Sequence, residues 1–211
     1  MTTPSRPQVG WGFWFRWILA SLLGVALGLC AFLGLLGGVI PISGSATVAR
    51  SVVGLSVIGI LTGIMQWSVL KEQGYKTLGW IPATALSWGA GLPLGLALSE
   101  VLNTIINFRS IAGWLMLGAW IGIVFGVAQW FVLRQQVRQS HWLMVADVVG
   151  WTVALPLSVL ATGLAEDPIF TIIYALVGTI VSTIITGLAL MWLLRHPTQQ
   201  PDQSTPSVPS V

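Results

Sequence analysis

The sequence predicts an all-α integral membrane protein of six transmembrane helices. They are laid out as three tandem two-helix hairpins, which allows a pseudo-threefold axis along the membrane normal. Three observations predict this. The chain has 211 residues, of which 55% are hydrophobic and only 7% charged, whereas soluble domains carry about 25% charged residues. Its apolar runs reach the roughly 20 residues that a helix needs to cross a bilayer. The pattern G-x-x-x-G-x-x-Q-W-x-V-L-[K/R] occurs twice, at 59–71 and 122–134. A β-barrel would use strands of about ten residues alternating inward and outward, and these runs show no such alternation.

Taken in order, residues 1–16 form a short tail, polar over 1–10 and expected in the cytoplasm. Apolar runs follow at about 17–37, 48–70, 79–98, 111–133, 142–164 and 169–194. The first is preceded by Arg16, as a signal peptide would be, but it is too long for a signal core and belongs to the repeat, so it is read as a membrane helix. "LGLC" at 27–30 resembles a lipoprotein signal only superficially: Leu29 stands where a small residue is required. Cys30, the single cysteine, is read as a small buried hydrophobe. Pro93 and Pro156 fall inside the third and fifth runs, where each removes a backbone hydrogen bond and is expected to give a fixed bend. Glu100, Asn103 and Asn107 share one helical face and are expected to extend the third helix along the interface. At 166–168, Asp167 reads as a helix cap and Pro168 as the first turn. Residues 197–211 are rich in Pro, Ser and Gln and are expected to be disordered. The membrane domain is thus 17–196.

The net charge of +3 does not point to nucleic acid, because basic residues stand singly at the edges of apolar runs. Arg6, Arg16, Lys71, Lys76, Arg134, Arg138 and Arg195 fall on one side of a six-span layout, and Arg50 and Arg109 on the other. The positive-inside rule then predicts both termini in the cytoplasm.

The two motif copies are offset by 63 residues, as from Gly59 to Gly122. The same offset takes Trp88 to Trp151, Pro93 to Pro156, Trp17 to Trp80, and Ala20 to Ala83 to Ala146. The last run keeps a weaker echo, "GLALMWLLR", which pairs Gly187 with Gly63 and Arg195 with Lys71 after a two-residue shift. The unit is one hairpin, at about 17–71, 80–134 and 142–195. Fixed-period similarity marks stacked modules, and two spans per unit give each copy the same orientation, as in parallel-repeat transporters.

On a helix, Gly59, Gly63 and Gln66 share a face, as do Gly122, Gly126 and Gln129. Small-xxx-small faces bring backbones close, and a glutamine at their end can hydrogen-bond a neighbour. Trp67 and Trp130 lie four residues before Lys71 and Arg134, about 6 Å along the axis. This predicts anchors at the headgroup boundary, and Trp17, Trp80 and Trp142 are assigned the same role at the starts of helices. Trp88 and Trp151 lie deeper and are expected to pack between helices.

Asp147 lies inside the fifth helix with no basic residue near it in the span, and such a residue is a functional-site hypothesis by default. Its repeat equivalents are Thr84 and Ser21. With Gln66 and Gln129 at similar depth, these predict a polar layer of Ser21, Gln66, Thr84, Gln129 and Asp147.

There is no phosphate-binding glycine loop, no H-E-x-x-H and no Cys/His cluster, and the two histidines, His141 and His196, sit at helix edges. The sequence therefore predicts no enzyme, metal or cofactor. The repeated G-x-x-x-G-x-x-Q-W-x-V-L-[K/R] segments, each followed by a Trp-containing helix start, resemble uncharacterised multi-pass membrane proteins of phototrophic and related bacteria over about 59–160. The resemblance implies a bacterial inner or other internal membrane, and no activity. The leading functional expectation is a structural or accessory protein that binds lipid, other membrane proteins or a second copy of itself. A small transporter or channel using the layer around Asp147 is the second, and a pigment or quinone site at Trp88 and Trp151 the third.

Overall fold

The computed structural model describes residues 9–37, 45–75, 77–102, 110–137, 139–162 and 168–196. All regular structure among them is helical. Helix α1 spans Trp11–Gly37 and α2 spans Ser45–Glu72. Helix α3 runs as an α segment Trp80–Leu86, a π turn Ser87–Gly91 and an α segment Leu92–Leu102. Helix α4 spans Ile111–Leu133, α5 His141–Thr162 and α6 Pro168–Arg195. Among the described residues, six stretches are long and apolar enough to cross a membrane, with mean hydropathy between 1.3 and 2.2. This is the architecture of a multi-pass membrane protein.

Helix α1 begins earlier than the apolar run suggests. Gly10 O accepts from Phe13 N and Trp14 N and starts the helix at the aromatic residues. Arg16 thus lies within α1, where its guanidinium meets Glu72 Oε2 at 2.7 Å. Helix α4 starts at a serine cap, with Ser110 Oγ accepting from Gly113 N. Pro168 is the first residue of α6, where its missing N–H costs no helical bond. The side chain of Glu100, and residues Asn103, Asn107, Asp167, 1–8 and 197–211, lie outside the described residues.

Each helix packs against its neighbours in the chain, and α6 packs against α1, so the six close into a ring. Contact registers show that adjacent helices are antiparallel. Gly24 faces Thr62 while Gly28 faces Ile58 across α1 and α2, and Gly91 faces Val124 while Gly95 faces Trp120 across α3 and α4. The ring closes where Trp14 Nε1 donates to Ile184 O and Arg195 Nε to Val9 O.

The predicted glycine faces lie where α2 meets α3 and where α4 meets α5. A Cβ on Gly59 would lie 2.7 Å from Ala85 Cα, and one on Gly63 would lie 3.0 Å from Ile81 Cα, so α2 packs on α3. A Cβ on Gly122 would lie 2.5 Å from Val148 Cα, and one on Gly126 would lie 2.7 Å from Met144 Cα, so α4 packs on α5. Partners in the two interfaces are again 63 positions apart: Ala85 with Val148, Ile81 with Met144.

The two internal prolines behave differently. Pro93 follows the π turn directly, whereas α5 passes through Pro156 as continuous α-helix. A proline cannot donate to the preceding turn and its ring crowds the carbonyl there. In α3 the preceding residues "SWGAG" include Gly89 and Gly91 and can widen; α5 has "GWTVA" in their place. Trp120 Nε1 donates to Gly91 O at the end of the wide turn.

Two apolar clusters fill the ring. One, at the end that holds the α1 N-terminus, includes Phe13, Trp17, Leu70, Trp80, Leu133, Leu143 and Leu190. The other includes Val25, Ile58, Trp88, Ile121, Phe125, Trp151 and Leu155. Buried polar side chains lie between them.

Candidate functional site

Ser21, Thr84 and Asp147, 63 positions apart on α1, α3 and α5, are all buried within the ring. One turn toward the α1 N-terminal end stand Trp17, Trp80 and Leu143; one turn the other way stand Val25, Trp88 and Trp151. Each turn is about 5.4 Å. The ring interior is thus layered as bulky apolar, polar, bulky apolar, and a cavity of about 30 Å³ lies at the polar level. That is room for about two water molecules.

All six helices line this cavity. All five residues of the expected polar layer, Ser21, Gln66, Thr84, Gln129 and Asp147, do so. Thr62 joins from α2, and Thr179, Ser182, Thr183 and Thr186 from α6. Sequence reasoning missed the α6 group. Its signal was present: positions 179, 182, 183 and 186 follow the i, i+3, i+4, i+7 rhythm of one helical face.

The hydrogen bonding is complete in one part of the layer only. Gln66 Nε2 donates to Ser21 Oγ at 2.9 Å, and Gln66 Oε1 accepts from Trp80 Nε1 at 2.9 Å. Ser21 Oγ donates onward to Trp17 O, and Thr84 Oγ1 to Trp80 O. The position corresponding to Trp80 beside Gln129 is Leu143, which has no donor, and Gln129 Oε1 is buried without a partner. The position corresponding to Gln66 beside Trp17 is Leu190, which has no acceptor, and Trp17 Nε1 is buried without a partner. Two further orphans border the cavity, Thr62 Oγ1 and Asp147 Oδ2.

The boundary-anchor role expected of Trp17 and Trp80 is corrected by their surroundings. They are 1% and 0% exposed, and their rings meet edge to face at 5.7 Å inside the ring. Depth along the membrane was read from the sequence, but depth does not say whether a side chain turns outward or inward. Trp67 and Trp130 are half-buried, with Lys71 Nζ 4.9 Å from the Trp67 ring and Arg134 Cζ 5.2 Å from the Trp130 ring. Trp142 is 49% exposed. Cys30, expected to be buried, is exposed on the outside of the ring.

Trp88 and Trp151 pack edge to face at 6.1 Å, and both contact the Phe125 ring. Each ring borders the cavity, so the aromatic cluster closes the polar level on the side away from the α1 N-terminus. Trp17, with Trp80 and Leu143 in its layer, closes the other side.

No family model, curated protein or solved structure matches the chain. Among the described residues no group of three or more His, Cys, Asp or Glu side chains comes together.

Proposed function

We propose that this multi-pass membrane protein carries a small polar solute across the bilayer through the axis of its helix ring. The observation that carries the reading is the Asp147 carboxylate, 2% exposed, with Oδ2 unpartnered beside a cavity that all six helices line. An unpaired ionisable group inside a membrane domain is costly. A purely structural layer would be expected to satisfy its members, as Gln66 is satisfied.

The three hairpins are arranged about a pseudo-threefold axis, and the cavity lies on it. Support comes from the shared offset of 63 in the glycine contacts, and from helix pairs that follow one another around the ring. Both termini are cytoplasmic, and the protein belongs to an internal membrane of a bacterium. The gathering of Arg16, Lys71, Arg134 and Arg195 at one end supports the orientation. A C-terminal reporter active only outside the cytoplasm would overturn it.

Gly59, Gly63, Gly122 and Gly126 are spent on contacts within the chain, which leaves no small-residue face from this motif for another protein.

Thiol accessibility tests the transport reading. Thr62→Cys in a Cys30→Ser background, in native membranes, is treated with 2-aminoethyl methanethiosulfonate. Unmodified protein with Cys30 on its outer face supplies the lipid-side baseline. Labelling of Cys at 62 well above that baseline supports a site that opens to water. Labelling at or below it would mean a dry structural layer and would overturn the reading.

A further inference from the structure

The atoms around the cavity favour one class of ligand. Unpartnered acceptor capacity is supplied by Asp147 Oδ2 and Gln129 Oε1, and by the hydroxyl Oγ1 of Thr62. Several other lining hydroxyls have already committed their protons to main-chain carbonyls: Thr84 to Trp80, Thr179 to Ala175, Thr183 to Thr179. What such a hydroxyl retains is its lone pairs. Against this set of oxygens stand two unused donors, Trp17 Nε1 and the Thr62 hydroxyl itself.

Charge narrows the class. Asp147 is the single charged side chain among the lining residues, and no Lys, Arg or His faces it there. A carboxyl group withdrawn from water either keeps its proton or, when ionised, needs a positive partner. One carboxylate balances one positive charge, which favours a monovalent ion. Divalent ions on oxygen ligands normally draw on several carboxylates or keep most of their water. The size fits a small ion with a water, since the cavity has room for about two water molecules. The absence of sulfur and imidazole from the lining points away from transition metals.

We propose that the axial cavity binds one small monovalent cation on oxygen ligands supplied by Asp147, Gln129 and Thr62, with the neighbouring hydroxyls completing its shell. This rests on the reading of the cavity as a solute site and names the solute. The asymmetry of the layer then acquires a role. Ser21 and Thr84 supply neutral oxygens, and the equivalent Asp147 supplies the charge that makes the third position selective for a cation. Leu143, in place of a second Trp80, leaves Gln129 Oε1 free for the ion.

The test uses the full chain purified in a mild detergent, melted while tryptophan fluorescence is recorded. Sodium, potassium, lithium and ammonium chlorides are compared with choline chloride at equal ionic strength. A ligand that binds only the folded state raises Tm saturably with its concentration. At least one small ion is expected to do so where choline does not. Asp147→Asn is expected to remove the dependence, and Gln129→Leu to raise the half-saturating concentration by about tenfold, the equivalent of one lost ligand bond. Equilibrium dialysis of the unmodified protein with ²²Na⁺ and ⁸⁶Rb⁺ gives a readout that needs no variant to fold, with one ion retained per chain as the expected result. If no ion shifts Tm and neither isotope is retained, the cation assignment is overturned. A shift that persists in Asp147→Asn also overturns it, because the ion then acts elsewhere. If the assignment fails while Cys at 62 still labels from water, the axial route stands with an uncharged solute. If labelling fails as well, both fall together.

Discussion

Trp80 Nε1 donates to Gln66 Oε1 at 2.9 Å and so ties the start of α3 to the end of α2. Elsewhere in the ring only halves of such a pair occur: Gln129 Oε1 and Trp17 Nε1 have no partner, and Leu143 and Leu190 stand at the positions that correspond to Trp80 and Gln66. The single complete pair and the two broken ones make sharp predictions, because one interaction is compared with its own absences.

The complete pair is expected to couple. In a double-mutant cycle of Gln66→Leu and Trp80→Phe, followed by unfolding in detergent, the interaction energy should be about 1 kcal/mol, within the range for hydrogen bonds in membrane proteins. A coupling indistinguishable from zero would reduce the contact to packing.

The broken pair behind Trp17 should accept repair. Leu190→Gln places an acceptor near an indole N–H that has none. It is expected to cost little in the unmodified protein, and more by about 1 kcal/mol in a Trp17→Phe background, where the new amide has no donor. Equal costs in both backgrounds would show that the glutamine does not reach Trp17.

Gln129→Leu is expected to leave stability in choline chloride unchanged or raised. It removes a buried acceptor that has no donor, so no Oε1 bond is lost. Gln66→Leu, which removes two bonds, should lower Tm under the same conditions.

Gly122→Ala should destabilise by about 1–3 kcal/mol, the usual cost of overpacking. Its Cβ would lie 2.5 Å from Val148 Cα and 2.6 Å from Asp147 O, and those are main-chain atoms that cannot step aside alone. Gly34→Ala is the control: nothing lies within 4 Å of its Cβ, so the change should be neutral or gain about 0.5–1 kcal/mol from helix propensity. Comparable losses at both positions would refute the close-packing account of the motif.

Glu72→Gln should change stability by less than about 1 kcal/mol despite the short contact with Arg16. The two side chains are 60% and 55% exposed, so water and salt screen the pair. A large loss on this substitution would mean that the headgroup region screens far less than bulk water.

By itself the sequence determined the membrane class, the number of helices and the constant spacing of 63 between Ser21, Thr84 and Asp147. Apolar length and a constant offset are one-dimensional signals, readable without neighbours. Helix starts were less legible, because aromatic residues such as Trp11 and Phe13 suit a boundary and a helix end alike. The tertiary structure alone decided which way side chains turn. In a bilayer both the lipid face and the packed face of a helix are apolar, so hydrophobic periodicity does not separate them. Trp17 and Trp80 therefore read as anchors, though they are buried among α1, α2 and α3. The threonines of α6 acquired meaning only when ring closure placed them on the same cavity as Asp147. The same closure brings Trp80 onto Gln66 and leaves a carboxylate oxygen of Asp147 without a partner beside the cavity.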